Sequence, residues 1–288
     1  MLQTAVNGFQ WQVNNFSDLY PGNAAATTLT ADASAHTKGA DTAVLTGIAE
    51  DCYGFHIMLS AGATDVTIRR QMTDLLIDPA AGVGNAGSSW TPVINNLYTN
   101  SPSTGSGCIG HNFFFPVFLK AGTAIGARIQ DVVGAATSLF SIRIFGKPTH
   151  PELLKVGTKV QTIGATAAST TGVAVTPGNG AVGSYSASLG TLTDPAWWWQ
   201  LGIGSADTTM STRQYWFDIA HDATSKYLCL QQMIYQVPAV SGLEASGKEA
   251  FGVRPPIQYA AAGQDVYVRG SATGAPDSSM TAVVYAVS

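Results

Sequence analysis

The chain has 288 residues, enough for one large domain or two ordinary ones. Only 11% of residues are charged, where a soluble domain usually carries about a quarter. A surface so poor in charge repels its neighbours weakly and suits lateral packing against other copies. The net charge of −4 supplies no basic footprint, which argues against nucleic-acid binding.

The first residues, MLQTAVNGFQWQVNNF, lack both the basic region and the continuous apolar core of a signal peptide. The apolar runs fall well short of the roughly 20 residues of a membrane helix, so no membrane insertion is expected. Cys52, Cys108 and Cys229 are too widely spaced for a disulfide framework or a zinc pattern, and folding in a cytosolic compartment is expected.

In chain order, Phe9–Val13 alternates apolar and polar residues like a strand and belongs to an N-terminal arm of about residues 1–25. From Thr42 onward, short apolar runs (AVLTGI, YGFHIML, VTIRRQM, LLID) alternate with turn signals. Helical periodicity is confined to HPELLKV around Pro151. β-Branched and aromatic residues fill the runs, and Gly, Pro, Ser and Asn separate them, as in an all-β chain. A strong strand, Leu139–Phe145, is broken by Lys147-Pro148-Thr149-His150-Pro151, and a domain boundary is placed there, dividing the chain into residues 1–147 and 148–288. Each part carries seven basic and nine acidic residues.

The two parts also repeat each other. Phe113–Asp131 returns as Val253–Ser271, with Pro116 over Pro256, Val117 over Ile257, Gly122 over Gly263, Ile125 over Val266 and Arg128 over Arg269. Residues 47–78 lie over 191–222 at a constant spacing of 144 residues, as from Arg69 to Arg213. The same spacing pairs Asp74 with Asp218, Asp78 with Asp222, Cys52 with Ala196, Tyr53 with Trp197 and Phe55 with Trp199. Near the ends Phe145 lies over Tyr285 and Gly134 over Gly274. Duplication of one unit explains this. The second copy holds eight or nine short strands, including WWWQLGI from Trp197, RQYWFDIAH from Arg213 and MTAVVYAV from Met280. With no helix to cover a sheet face, two tandem, duplicated β-sandwiches of jelly-roll type are expected.

Phe115-Pro116-Val117-Phe118, followed by Ala121–Gln130 and preceded by Asn96-Leu97-Tyr98, resembles a segment of structural proteins of tailed bacteriophages. In those chains an apolar strand ends in an Ala-Gly turn and leads into an Ile-x-x-Arg strand, here Ile125-Gly126-Ala127-Arg128. The resemblance is strongest over residues 90–145 and weaker over 250–288, where Arg254-Pro255-Pro256 departs from the aromatic pattern. It implies a virion component of the tail, fibre or neck apparatus, folded in the host cytoplasm, with other copies of itself (a trimer or ring) and other virion proteins as partners.

Few residues suggest chemistry. Gly178–Gly183 and Gly105–Gly110 both read G-x-G-x-x-G, but neither opens a helix, so both read as turns and no cofactor is expected. Asp218-Ile219-Ala220-His221-Asp222 could hold a metal, yet Ile77 replaces the histidine in the first copy, and its carboxylates read as turn or ion-pair residues. Arg69, Arg213, Arg128 and Arg269 stand in apolar strands, where an unpaired charge is costly. Pairing with Asp74 and Asp218, or with Asp78 and Asp222, is expected inside each sandwich. Trp197 and Trp199 read as core. Trp198, on the opposite face and over Gly54 in the repeat, is the candidate for an interface or for stacking on a sugar ring. No G-x-S-x-G, H-E-x-x-H or kinase set occurs. Besides Glu50, the glutamates are Glu152, Glu244 and Glu249, none in an informative context, and no catalytic or metal residue is assigned. Three functions stay open: a virion structural protein (tail component or capsid decoration), a carbohydrate- or receptor-binding module acting on a host surface glycan, and a glycan-degrading enzyme, the last the least supported.

Overall fold

The computed structural model describes residues 19–20, 26–61, 69–101, 111–146, 155–204, 213–237, 259–275 and 280–288. Residues 1–18 (including Phe9–Val13), Gly105–Gly110, Cys108, Pro148–Pro151 and Val253–Ile257 lie outside it, as do the expected division at 147/148 and most of the expected helical turn around Pro151. Among the described residues the fold is an all-β sandwich fold with four sheets.

The first part supplies β1 (Leu19–Tyr20), β2 (Thr27–Thr30), β3 (Thr42–Leu45), β4 (Gly54–Ala61), β5 (Arg69–Asp78), β6 (Thr91–Ser101), β7 (His111–Phe115), β8 (Ala124–Asp131) and β9 (Thr137–Phe145). One sheet runs β9-β4-β7, with β1 and β2 following each other along the far side of β9; the other runs β3-β8-β5-β6. From β2 onward consecutive strands therefore lie in opposite sheets, apart from the β5–β6 neighbours, which is the jelly-roll order. The segment Phe113–Asp131 illustrates this. Its two strands, β7 and β8, are not partners but lie in opposite sheets, joined across Gly122, whose φ of 88° only glycine adopts freely.

The second part supplies β10 (Val160–Ile163), β11 (Val173–Ala174), β12 (Gly178–Asn179), β13 (Gly190–Thr191), β14 (Trp198–Gly204), β15 (Arg213–His221), β16 (Tyr227–Val237), β17 (Asp265–Ala272) and β18 (Thr281–Val287). β18 is flanked by β10 and β11 on one side and β14 on the other; the facing sheet runs β17-β15-β16, with β12 and β13 outside β17. The parallel pairing of β12 with β17 is the exception among antiparallel ladders.

The duplication recurs in the backbone. The β5–β6 ladder shifts register between Thr73 and Leu75 and again between Leu75 and Leu76; the β15–β16 ladder shifts between Phe217 and Ile219 and between Ile219 and Ala220. These are the same positions, 144 residues apart. Isolated bridges join Cys52 to Leu119 and Ala196 to Ala260, and Gly263 repeats the positive φ of Gly122 at 84°. Bulges re-aim strands and end pairing, so their repetition marks inherited architecture rather than chance.

Alternation along the strands sorts side chains into two cores. In β14, Trp199, Leu201 and Ile203 enter the core of the second sandwich, and in β18 Ala282, Val284 and Ala286 do so. The opposite faces do not meet solvent. Trp198, Val283, Tyr285 and Val287 join the core of the first sandwich, alongside Phe113, Phe114 and Phe115. The β10–β18–β14 sheet is thus buried on both sides, between its own partner sheet and the first jelly roll. Trp197 lies just before β14 and turns with Trp198 toward the first core, so Trp197 and Trp199 do not share a face as strict alternation predicts. Strand alternation starts only where pairing starts, at Trp198.

Candidate functional site

The most elaborated polar structure lies at the seam between the two jelly rolls. β6 and β7 are the edge strands of the first sandwich's two sheets, on the same flank. An edge strand carries unpaired amides and carbonyls that must find partners once buried. At the β6 bulge Asn96 takes a left-handed conformation, φ 55°. Its amide donates to Asp74 Oδ1 at 2.9 Å, and its carbonyl accepts from the Tyr285 hydroxyl at 2.8 Å. The same phenol oxygen accepts the Tyr98 amide at 2.5 Å, and Tyr98 Oη meets Thr281 Oγ1 at 2.8 Å. One tyrosine from β18 thereby satisfies two backbone groups of the β6 edge. Its ring stands edge-on to Phe113 and Phe115, at centroid distances of 5.6 and 6.1 Å. Burial holds the Tyr285 hydroxyl well above the usual tyrosine pKa, which keeps it protonated and able to donate.

Trp198 caps the other edge. Its Nε1–H donates to the Phe114 carbonyl of β7 at 3.0 Å, and the two rings meet edge-on at 5.8 Å. The residue is 3% exposed. The reading of Trp198 as a sugar platform therefore fails: neither face of the indole is open to a ligand, and the interface it fills lies within the chain. Gly202 and Gly204, on the same face of β14, let β6 approach; a Cβ on Gly204 would stand 2.2 Å from the Tyr98 hydroxyl, and one on Gly202 2.9 Å from the Tyr98 carbonyl oxygen. A second patch of the seam joins β8 to the turn after β10. Gln130 Nε2 donates to Thr170 Oγ1 at 2.9 Å and to the Ala167 carbonyl, and His36 Nδ1 lies 3.0 Å from Thr170 Oγ1.

The seam connects to a buried charge cluster. Arg128 Nε donates to Asp74 Oδ2 at 2.8 Å, and Lys38 Nζ donates to Asp74 Oδ1 at 2.8 Å and to the Met72 carbonyl at 2.9 Å. Burial lowers the Lys38 pKa to about 8, against the pull of Asp74. The hydrogen bond to Asp74 raises that of Arg128. In the second copy Arg269 Nε donates to Asp218 Oδ2, also at 2.8 Å, on cross-strand partners that repeat Arg128 and Asp74. Arg269 also lies over the Tyr185 ring, 4.7 Å from its centroid.

Asp78 and Asp222 are not partners of these arginines. Each closes a strand and accepts turn amides: Asp78 from Ala80, Ser88 and Ser89, Asp222 from Thr224 and Ser225. Those bonds, led by Ser88 in one and Ser225 in the other, lower both carboxyl pKa values. The side chains of Arg69 and Arg213 lie outside the described residues. His221 is 9% exposed beside Tyr227, and among the described residues no group of three metal-binding side chains forms around it. The Gly178 motif runs into β12 and a turn, with no helix after it. Comparison of the two copies singles out Trp198 but gives no functional role to Tyr285, Asn96, Gly202 or Gly204. Their signal was available: Tyr285 stands where the first copy has Phe145, and Gly202 and Gly204 stand where it has Met58 and Ser60.

No protein-family model matches the chain, and no curated protein does. Among solved structures it is similar to PNGF-II, at 11% identity and a TM-score of 0.39; the match covers 92% of this chain and 65% of that one, so the chain spans just under two thirds of its length. It is similar to the STIV MCP at 11% identity and a TM-score of 0.30, covering 94% and 96% of the two chains. A pentameric capsid protein isolated from metagenomic phage sequences is similar over 44% of this chain and 70% of its own, at 12% identity and a TM-score of 0.21. Likenesses this distant assign no function.

Proposed function

We propose that the chain is a structural component of a virion, of the tail, fibre or neck apparatus, built to pack against further copies of itself and other particle proteins rather than to catalyse a reaction. One observation carries the reading: the described charged side chains that the sequence offers for chemistry are engaged in holding strands and turns together. Asp74, Asp218, Arg128 and Arg269 form cross-strand pairs, and Asp78 and Asp222 bind turn amides. The chain's low charge and the resemblance of Phe115–Gln130 to tailed-phage structural proteins support the same reading. Arginine and carboxylate pairs whose partners are already met add rigidity, which a particle component needs more than reactivity.

The test is assembly. Mass photometry of the purified chain over a range of concentrations is expected to show a closed trimer or ring, and mass spectrometry of purified particles from the source of the gene is expected to find the chain in many copies. A strictly monomeric chain that is also missing from particles would overturn the reading.

A further inference from the structure

The flank of the first jelly roll is two edge strands with their backbone groups facing outward, a surface that alone would invite mispairing. It is closed by side chains of the second jelly roll: Tyr285 on β6 and Trp198 on β7, with Val283 and Val287 in the same core. The strand that carries Tyr285 is also the strand that β10, β11 and β14 all pair with. Its two faces serve different cores, so neither jelly roll keeps its packing if β18 leaves. From this geometry we propose that β18 is a strap that locks the two jelly rolls into one folding unit, with the Tyr285 hydroxyl as its catch on the β6 edge.

The catch is specific to this copy. The equivalent residue of the first jelly roll is Phe145, which has no hydroxyl and packs its ring on Phe114 instead. The duplicated strand has thus diverged at the one position where a phenol reaches Asn96 and Tyr98. Removing that oxygen leaves a buried carbonyl and a buried amide without this partner.

Hydrogen exchange of the full chain in increasing urea, read by mass spectrometry, tests the proposal. In the unmodified chain, peptides from β4 and β5 and peptides from β14 and β18 are expected to lose protection at one common urea concentration. In Tyr285→Phe, the amides of residues 96–98 are expected to exchange about fivefold faster in the absence of urea, the loss of one net hydrogen bond, and both sets of peptides are expected to open together at lower urea. Gly202→Ala disturbs the same seam from β14 and is expected to lower both midpoints together, which keeps the test alive if the tyrosine variant does not fold. Protection of β4 and β5 that outlasts the opening of β14 and β18 in the unmodified chain overturns the proposal. So does a Tyr285→Phe chain with unchanged exchange at residues 96–98 and unchanged midpoints.

Discussion

Asp74 and Asp218 occupy equivalent places, yet their surroundings differ enough to predict different costs on removal. The Asp74 side chain is 3% exposed and holds Lys38, Arg128 and the Asn96 amide. Asp74→Asn leaves the largely buried Lys38, and beside it an Arg128 that is 31% exposed, facing a neutral amide; led by Lys38, the loss is expected to be about 3–5 kcal/mol. The Asp218 side chain is 12% exposed against an arginine 28% exposed, and Asp218→Asn is expected to cost about 1.5–3 kcal/mol, the range for a hydrogen bond to a charged group. Urea denaturation of the two variants side by side checks the order; equal losses would contradict it. That such arginines need a carboxylate was legible in the sequence, because both recur in the duplication; the choice of Asp74 and Asp218 over Asp78 and Asp222 was not, since it depends on which strands are neighbours. The destination of Trp198 was not legible. A lone aromatic on the outer face of a strand looks the same whether it meets solvent or another jelly roll, and only the packing of β14 against β6 and β7 decides. With its indole buried and its Nε1–H committed to Phe114, Trp198→Ala is expected to cost about 3–5 kcal/mol, the usual loss for a buried aromatic, measured by the same titration.

β4 and β14 are the same strand in two settings, and the difference shows what docking demands. On their outer faces β4 carries His56 and Met58 where β14 carries Gln200 and Gly202, and the same spacing puts Gly204 over Ser60 in the sequence. The glycines belong to the copy against which β6 lies. Gly204→Ala would place a methyl into the Tyr98 ring and is expected to lower the thermal midpoint by several degrees. Calorimetry of this variant beside the unmodified chain decides; an unchanged midpoint would contradict the close approach. The outer face of β4 also carries a pH effect. Burial, with the positive charge of Arg143 next in importance, lowers the His56 pKa from 6.5 to about 4, partly opposed by a hydrogen bond with Asn112. Between those values the unfolded chain holds a proton that the folded chain lacks. The contribution of His56 is therefore complete above about pH 6.5 and is lost as the pH falls toward 4. The turn carboxylates Asp78 and Asp222 act lower, below their ordinary 3.8. His56→Gln is expected to reduce the stability loss between pH 6.5 and 4, leaving the part due to His221, whose pKa burial also lowers, and the acid loss below it. At this scale the sequence conveyed strand type and duplication, since β-branched runs and Gly turns are local signals. Strand extent around residues 172–192 is not a local signal. There β11, β12 and β13 shrink to two residues each, because they only brush the edges of β17 and β18.

At the scale of the molecule, one sheet buried on both faces turns two similar sandwiches into an asymmetric pair. The first jelly roll presents the outer face of β4 and β9, and the second contributes the inner sheet of the seam, so the two copies no longer offer the same surfaces to a neighbour. A contact between unlike surfaces closes into a ring or extends as a filament, according to the rotation it imposes. The chemistry available for such a contact is limited. With 14 basic and 18 acidic residues in 288, and several of them already paired inside the sandwiches, the outer faces carry few charges for intermolecular salt bridges. In the proposed oligomer, association between copies would then rest on apolar and hydrogen-bonded contact, which salt does not screen. Raising sodium chloride from about 0.1 M to about 1 M shortens the screening length from about 10 Å to about 3 Å, enough to loosen a charge-held assembly. The proposed oligomer is expected to keep its mass through that change and to tighten in ammonium sulfate, an excluded salt that favours burial. Sedimentation velocity at the two salt concentrations checks this directly. Dissociation at high sodium chloride would mean that the few exposed charges, rather than the low-charge faces, hold the copies together.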